Sequence, residues 1–181
     1  MTPRDPDRRH RIADAAVTVI ERDGVLALSH RSVAAEAGVP LGSTTYYFED
    51  LDALLVAALE RISDHELRVL DEWAATWDLT TQLEDALVSL VLGYTNTQRD
   101  RSILEYEVHM LAYRRASLRP LGDRWETAFA ELLRPALAPE DVPIVIASFD
   151  AIMLHGLGLA KPLSDEWARD YLRRILRAPH P

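Results

Sequence analysis

Five consecutive side chains, Ser43-Thr44-Thr45-Tyr46-Tyr47, carry hydroxyl groups. Placed on the outer face of a short helix, such groups can bond phosphate oxygens or base edges. A threonine methyl can also rest on the methyl of thymine. Leu41–Phe48 contains no Arg, Lys, Asn or Gln, so the residues that read bases by two parallel hydrogen bonds are missing from this stretch. Arg31 is the nearest side chain able to make a strong contact to a base or a phosphate, and Arg8, Arg9 and Arg11 form a basic cluster further upstream. The chemistry offered is recognition of a polar, anionic partner by hydroxyls, with charge supplied from nearby arginines.

A second group has a different character. Trp73, Trp77, Tyr94, Tyr106, His109, Met110, Tyr113, Trp125, Phe129 and His155, together with Met153, are large, and several have a polar tip. A set of this kind either fills an ordinary core or lines a mostly apolar pocket with a few orienting polar groups. Glu105 and His109 share a helix face at i, i+4, a spacing that metal ligands use, but a lone pair is far more often a hydrogen-bonded surface pair. No metal site and no cofactor is expected. Asp150, His109 and His155 could orient a polar group of a ligand. There is no glycine-rich phosphate loop, no His-Glu-x-x-His and no Gly-x-Ser-x-Gly. With no cysteine in the chain, thiolate chemistry and disulfides are excluded too. An enzyme is not expected.

The elements that must position these residues read as helices throughout. Apolar residues recur at helical spacing and the breaks come as caps and prolines. Arg8–Asp23 is the first helix, with Ile12, Ala16, Val19 and Ile20 on its apolar stripe and Gly24 at its end. Ser29 caps a short helix over His30–Ala37, which Gly38 ends, and a third spans about Leu41–Tyr47. Ala34 is small where two crossing helices would meet, Gly38 supplies the positive φ of the turn, and Val39 and Phe48 plug it onto the core. This is the spacing of a helix-turn-helix at residues 30–48. Asp50 then caps a long helix from Leu51 to about Trp77, with Leu54, Leu55, Ala58, Leu59, Ile62, Leu67 and Leu70 on its buried side. Five more helices are expected near Thr80–Gln98, Ser102–Arg115, Leu118–Leu137, Pro139–Ala160 and Ser164–Arg177.

Charge and hydropathy narrow the class. The net charge of −9 opposes nucleic-acid binding by the chain as a whole, yet residues 1–50 hold six Arg against eight acids, so the front is relatively basic. Val142–Ala160 is nearly apolar and long enough to suggest a membrane span, but Pro143, Asp150 and His155 interrupt it. It is read instead as a helix buried on all sides, partly by a second subunit, with Gly156 and Gly158 allowing close approach. The start of the chain has no apolar segment of the signal-peptide type, which points to the cytoplasm. Irregular structure is expected only at the proline-containing ends, Thr2–Asp7 and Ala178–Pro181.

Over roughly residues 8–60 the sequence resembles the TetR (tetracycline-repressor-like) family of bacterial regulators. The resemblance is carried by the first helix with Gly24, by Ser29-His30-Arg31-Ser32-Val33-Ala34, by the Ala37-Gly38-Val39 turn, by Gly42-Ser43-Thr44-Thr45-Tyr46-Tyr47-Phe48, and by Asp52-Ala53-Leu54-Leu55. It implies an all-α fold of about nine helices: a three-helix helix-turn-helix DNA-binding domain over residues 1–50 and a helical ligand-binding and dimerisation domain over residues 51–181. It makes Leu41–Tyr47 the recognition helix, and Arg31, Ser43, Thr44, Thr45, Tyr46 and Tyr47 contacts to DNA, with Arg8, Arg9 and Arg11 as a phosphate clamp. The family often has a Lys or Arg at the start of the fourth helix; here Leu51 stands there, behind Glu49 and Asp50. The resemblance further implies a homodimer through residues 139–177, a near-palindromic double-stranded operator, and release by a small-molecule effector, with the long fourth helix as the lever between the halves. Two other readings stay open: a small helical enzyme or carrier that binds an apolar ligand, and a helical adaptor that only dimerises.

Overall fold

The computed structural model describes residues 6–115 and 118–177. Of the two proline-containing ends, residues 1–5 and 178–181 lie outside the described residues. Pro6 is already the first residue of a helix, a position where the missing backbone N–H has no helical partner to lose. Among the described residues there are nine α-helices and no strand: α1 (Pro6–Asp23), α2 (His30–Ala37), α3 (Leu41–Tyr47), α4 (Leu51–Ala74), α5 (Leu79–Leu92), α6 (Arg99–Arg114), α7 (Arg119–Leu133), α8 (Val142–Gly158) and α9 (Asp165–Arg177). None of these helices is long and apolar enough to cross a membrane.

The chain forms two compact units. The first comprises Met1–His65 with Val108–Leu121, and the second comprises Glu66–Glu107 with Gly122–Pro181. The boundary therefore falls beyond residue 50, because the first half of α4 buries its apolar face in the first unit. Leu54 and Ala58 are fully buried there, and Arg61 of α4 pairs with Asp14 of α1 at 3.1 Å. Arg115 reaches Asp52 at the start of α4, at 2.6 Å. The expected stripe of α1 is the core of this unit: Ile12, Ala16, Val19 and Ile20 are all without exposure.

Several helix ends differ from expectation, each for a local reason. α4 stops at Ala74 rather than near Trp77, because Thr76 and Trp77 donate three residues back, to Trp73 and Ala74, which tightens and ends the helix. α7 stops at Leu133, shortly before Pro135, which has no N–H to continue the ladder, and the chain leaves through a turn in which Ala136 and Leu137 donate to the Leu133 carbonyl. α8 begins at Val142 with Pro143 inside its first turn, where proline is tolerated. The segment expected to be one helix over Thr80–Gln98 is instead α5, capped by Asp78, followed by a π-helical turn over Gly93–Thr97. α6 then begins at Arg99, earlier than expected.

The second unit is built on α5, α8 and α9 packed together, with α7 and the end of α4 completing an apolar core around Leu70, Leu87, Phe129 and Phe149. The Phe129 and Phe149 rings lie 5.0 Å apart, and Trp125 is 4.8 Å from Phe129. At the surface, Arg173 of α9 holds Glu84 of α5 at 2.7 Å. α8 is not buried on all sides within the chain. Val145, Phe149, Ile152 and Met153 face the core, but Pro143, Ala147, Ala151 and Leu154 are exposed along the opposite side.

The end of α8 is held tightly. Asn96 bonds both backbone groups of Leu163, at 3.0 and 2.8 Å, and the Arg99 guanidinium donates to the terminal carbonyls of Gly156 and Leu159 and also of Leu157. Such cations complete a helix C-terminus by satisfying its orphan carbonyls. Gly156 is needed here: a Cβ on it would lie 2.6 Å from Cγ2 of Thr95 in the π turn. Gly158 has no such neighbour among the described residues. Gly156→Ala is therefore expected to lower stability by about 1–3 kcal/mol in denaturant unfolding, as overpacked cores do. Adding Thr95→Ser removes the clashing methyl and keeps the hydroxyl bond to Val91, so it should restore most of the loss. If the double variant were no more stable than the single one, the close approach would not be the cause.

Candidate nucleic-acid interface and ligand core

The helix-turn-helix is assembled from local hydrogen bonds. Ser29 accepts from the Ser32 N–H at 3.0 Å while the Ser32 hydroxyl accepts from the Ser29 N–H at 3.0 Å, a reciprocal cap that fixes the start of α2. Gly38 adopts φ +63°, and the N–H of Val39 returns to the Ala34 carbonyl at 3.0 Å, which closes α2 and turns the chain into α3. Ala34 is buried at the crossing of α2 and α3, and Phe48 is buried behind α3 with the Arg9 guanidinium 4.9 Å above its ring.

The outer surface differs from expectation at one residue. Thr44 is completely buried, and its hydroxyl donates to the Leu41 carbonyl at 2.8 Å. Its helical phase turns it inward, so it anchors α3 and has no surface to offer a partner. Arg8, Arg31, Thr45 and Tyr46 are exposed, and Ser43 and Tyr47 are half-buried. The Tyr46 and Tyr47 rings meet edge to face at 5.1 Å, so each limits the rotation of the other.

The charges around this face are partly committed elsewhere. Arg11 donates to the Ala37 carbonyl at the end of α2, at 3.4 Å. Arg22 bridges Asp23 and Glu36, each at 2.8 Å, and these carboxylates hold its guanidinium pKa above the ordinary arginine value. Asp50 accepts from the Ala53 N–H at 2.7 Å, which explains an acid there: it caps α4.

In the second unit, part of the aromatic set comes together. Tyr94 and Phe129 are buried in its core, and Trp73, Tyr106 and Trp125 pack against it. The Trp125 indole N–H donates to the Tyr94 hydroxyl, and the Tyr106 hydroxyl donates to Asp150 at 3.3 Å. The π turn aims Tyr94 inward, and its carbonyl is held by the Ser102 hydroxyl at 3.0 Å. Other expected members lie elsewhere. His109, Met110 and Tyr113 belong to the first unit, where Met110 and Tyr113 are 52% and 71% exposed. Trp77 is half-buried and outside the core cluster. His155 is exposed and stacks on Trp167 at 4.8 Å. Glu105, considered above with His109, is bound by Arg101 at 3.1 Å.

Sequence reading missed Glu66. It is 6% exposed, one helical turn from the fully buried Leu70 of α4, while Leu67, expected on the buried side, is only half-buried. The available signal was Glu66 at i+4 from Ile62 and i−4 from Leu70, a carboxylate on an apolar stripe. Burial pushes its carboxyl up to about 7, and Arg101 and Arg124 pull the other way without offsetting it. Burial likewise raises the hydroxyl pKa values of Tyr94 and Tyr106, with help from the neighbouring carboxylates.

The described residues are all helical, with a helix-turn-helix of polar outer face in the first unit and, in the second, an aromatic core and the buried carboxyl of Glu66. The family model of the tetracyclin repressor-like C-terminal domain matches residues 79–178, more than half of the chain, and the protein belongs to the TetR family of helix-turn-helix transcriptional regulators. Among its relatives is the HTH-type transcriptional regulator BetI of Burkholderia mallei (strain NCTC 10229), 27% identical with 93% of each chain covered. The multidrug binding protein EbrR in complex with ethidium is 40% identical, with a TM-score of 0.82, covering 94% of this chain and 99% of that one. The regulator SCO7518 from Streptomyces coelicolor A3(2) is 29% identical, with a TM-score of 0.85, covering 96% and 100%.

A raised carboxyl pKa in the folded state means that the Glu66 contribution to stability is complete below the unfolded value of 4.5 and is lost as pH rises through about 7. Glu66→Gln should therefore be more stable than the parent, with a gain that grows by about 2–3 kcal/mol between pH 5 and pH 8. Denaturant unfolding at the two pH values measures it. A gain that did not change with pH would show that ionisation of a buried carboxyl is not its source.

Proposed function

We propose that this TetR-family regulator is a cytoplasmic, dimeric repressor that leaves a near-palindromic operator when a small-molecule effector occupies its second unit. It acts by binding rather than by turnover. The observation that carries the DNA reading is the outer face of the helix-turn-helix: Arg31, Thr45 and Tyr46 are exposed together with the edges of Ser43 and Tyr47, on helices fixed by the Gly38 turn. Arg8 and Arg31 supply charge for phosphates, and the hydroxyls supply position and a modest preference through base edges and thymine methyls. In a dimer, two copies of α3 would enter successive major grooves about 34–36 Å apart, which is why the operator should be two-fold symmetric.

The dimer reading rests on α8 and α9. Ala147, Ala151 and Leu154 form an exposed strip of small and apolar residues on α8, and on α9 Trp167 is 42% exposed beside His155. Such a strip permits close approach of a second copy of the same helices, and a self-complementary interface is the commonest route to a dimer. The ligand reading draws on the aromatic core of the second unit and on the likeness to EbrR, a multidrug binding protein described with ethidium, proflavin and malachite green. An effector shifts the DNA-binding equilibrium only by its differential affinity for the two states.

Footprinting at low salt should find a protected two-fold site near the gene's own promoter. Arg31→Ala with Tyr47→Ala should abolish that protection while the protein keeps its helical spectrum; retained protection would place the reading surface elsewhere. Leu154→Asp, at an exposed position, should convert the dimer to a monomer in light scattering and weaken operator binding by about tenfold or more, since each half-site is then held alone. A dimer that survives with Ala151→Asp added would place the interface off α8.

A further inference from the structure

The outermost line of α3 carries less polarity than its composition implies. Leu41, Gly42, Thr45 and Tyr46 are exposed, Ser43 and Tyr47 are half-buried, and Thr44 and Phe48 are buried. Residues at i, i+1, i+4 and i+5 share one face of a helix, so the first four form the crest that a partner meets first. Leu41 leads that crest and is 46% exposed. The hydroxyl of Thr45 donates back to the Gly42 carbonyl at 3.3 Å. Its proton is thereby committed within the helix, and the γ-methyl, which leaves Cβ in another direction, is the part left for a partner.

Gly42 sits between these two side chains. Its φ is not positive, and a Cβ on it would meet no other part of the described chain within 4 Å. Nothing in the chain therefore calls for a glycine there. Glycine in a helix costs stability relative to alanine, and a helix of seven residues has little to spare. A glycine without an internal reason is accounted for by close approach of something outside the chain.

Two apolar ends flanking a notch fit a small apolar projection. In the major groove that projection is the C5-methyl of thymine, the only methyl that the four bases present there. A phosphate gains nothing from such a surface, and Leu41–Phe48 holds no Arg, Lys, Asn or Gln to read a base by paired hydrogen bonds. The charged groups of this region stand on other elements: Arg8 on α1, Arg31 on α2, and Glu49 and Asp50 beyond the end of α3.

We infer that Leu41 and the Thr45 methyl are specificity-determining contacts to thymine methyls, with Gly42 leaving the space between them into which a methyl fits. This rests on the DNA reading proposed above and specifies what α3 reads: A·T pairs, by the one group that separates thymine from uracil. The hydroxyls of Ser43 and the tyrosines then serve to position α3 rather than to choose the base.

The test deletes that methyl from the DNA. Duplexes selected by the full chain from a random pool at low salt are synthesised with thymine and, otherwise identical, with deoxyuridine in its place. Deoxyuridine at one or more positions of each half-site should weaken binding about fourfold for each methyl removed, as loss of one buried methyl does. Leu41→Ala should narrow the difference between the two duplexes. Thr45→Ser, which loses the methyl, should cost more affinity than Thr45→Val, which loses the hydroxyl. Gly42→Ala should raise the thermal midpoint by about 1–4 °C and still weaken the selected duplex by about tenfold or more. The comparison of thymine with deoxyuridine needs no variant. Equal affinity of the wild-type protein for both duplexes overturns the assignment and leaves the DNA reading intact. So does full discrimination in a Leu41→Ala, Thr45→Ser double variant, a greater loss in Thr45→Val than in Thr45→Ser, or a Gly42→Ala protein that binds like the parent. If the full chain selects no duplex, the assignment falls together with the DNA reading.

Discussion

The left-handed turn at Gly38 is the constraint on which the whole reading surface depends. A residue with a side chain is strained at φ +63°, and only this turn lets α2 close on Ala34 and α3 start at once beyond Pro40. Everything outward on α3 follows from its rotation in that frame. Thr44 and Phe48, four residues apart, occupy the inner face, and Thr45 and Tyr46 are thereby turned outward. The hydroxyl of Thr44 is satisfied by the Leu41 carbonyl, so a polar residue sits in a dry position at little cost. A helix of seven residues has little stability of its own and is held by this inner face.

In the second unit the corresponding constraint is the close passage of Gly156 by Thr95. It requires a glycine on α8 and a chain that widens into a π turn before α6 can begin. The same turn carries Tyr94 into the core and brings Asn96 and Arg99 against the loop after α8. Insertions of this kind recur at functional sites because an extra residue re-aims a side chain without breaking the helix. Here the side chain so aimed is a tyrosine bonded to Trp125 and influenced by both Glu66 and Glu105.

Much of this was legible in the sequence, and the exceptions have physical causes. α2 and α3 were readable to the residue, because Ser29, Gly38 and Phe48 act locally and each has one structural use. Ends set by side-chain-to-backbone bonds, such as Thr76 to Trp73 and Thr95 to Val91, were not, since a threonine in a helical pattern gives no sign of which carbonyl it will take. The aromatic residues of the second half were correctly seen as large and polar-tipped. Their partition between a core, a surface stack at His155 and the first unit depends on long-range packing that periodicity does not encode. Glu66 was missed for a different reason: charged residues are assigned outward by default, and that habit outweighed its place between Ile62 and Leu70, both expected on the buried side.

The charges of the first unit explain how a chain of net charge −9 can still present a surface suited to DNA. Its arginines divide by use. Arg8, Arg9, Arg11, Arg22 and Arg31 are all exposed, but Arg11 also reaches the end of α2, Arg22 pairs with Asp23 and Glu36, and Arg9 lies over the Phe48 ring. Asp50, which looks unfavourable beside a phosphate backbone, is needed to start α4. In the proposed reading such a surface would neutralise few phosphates, and its salt dependence would be shallow compared with that of a heavily basic reader. In the DNA reading proposed above, discrimination would fall to the shape and hydroxyls of α3, where the mutual contact of Tyr46 and Tyr47 reduces the rotamer freedom that binding must remove.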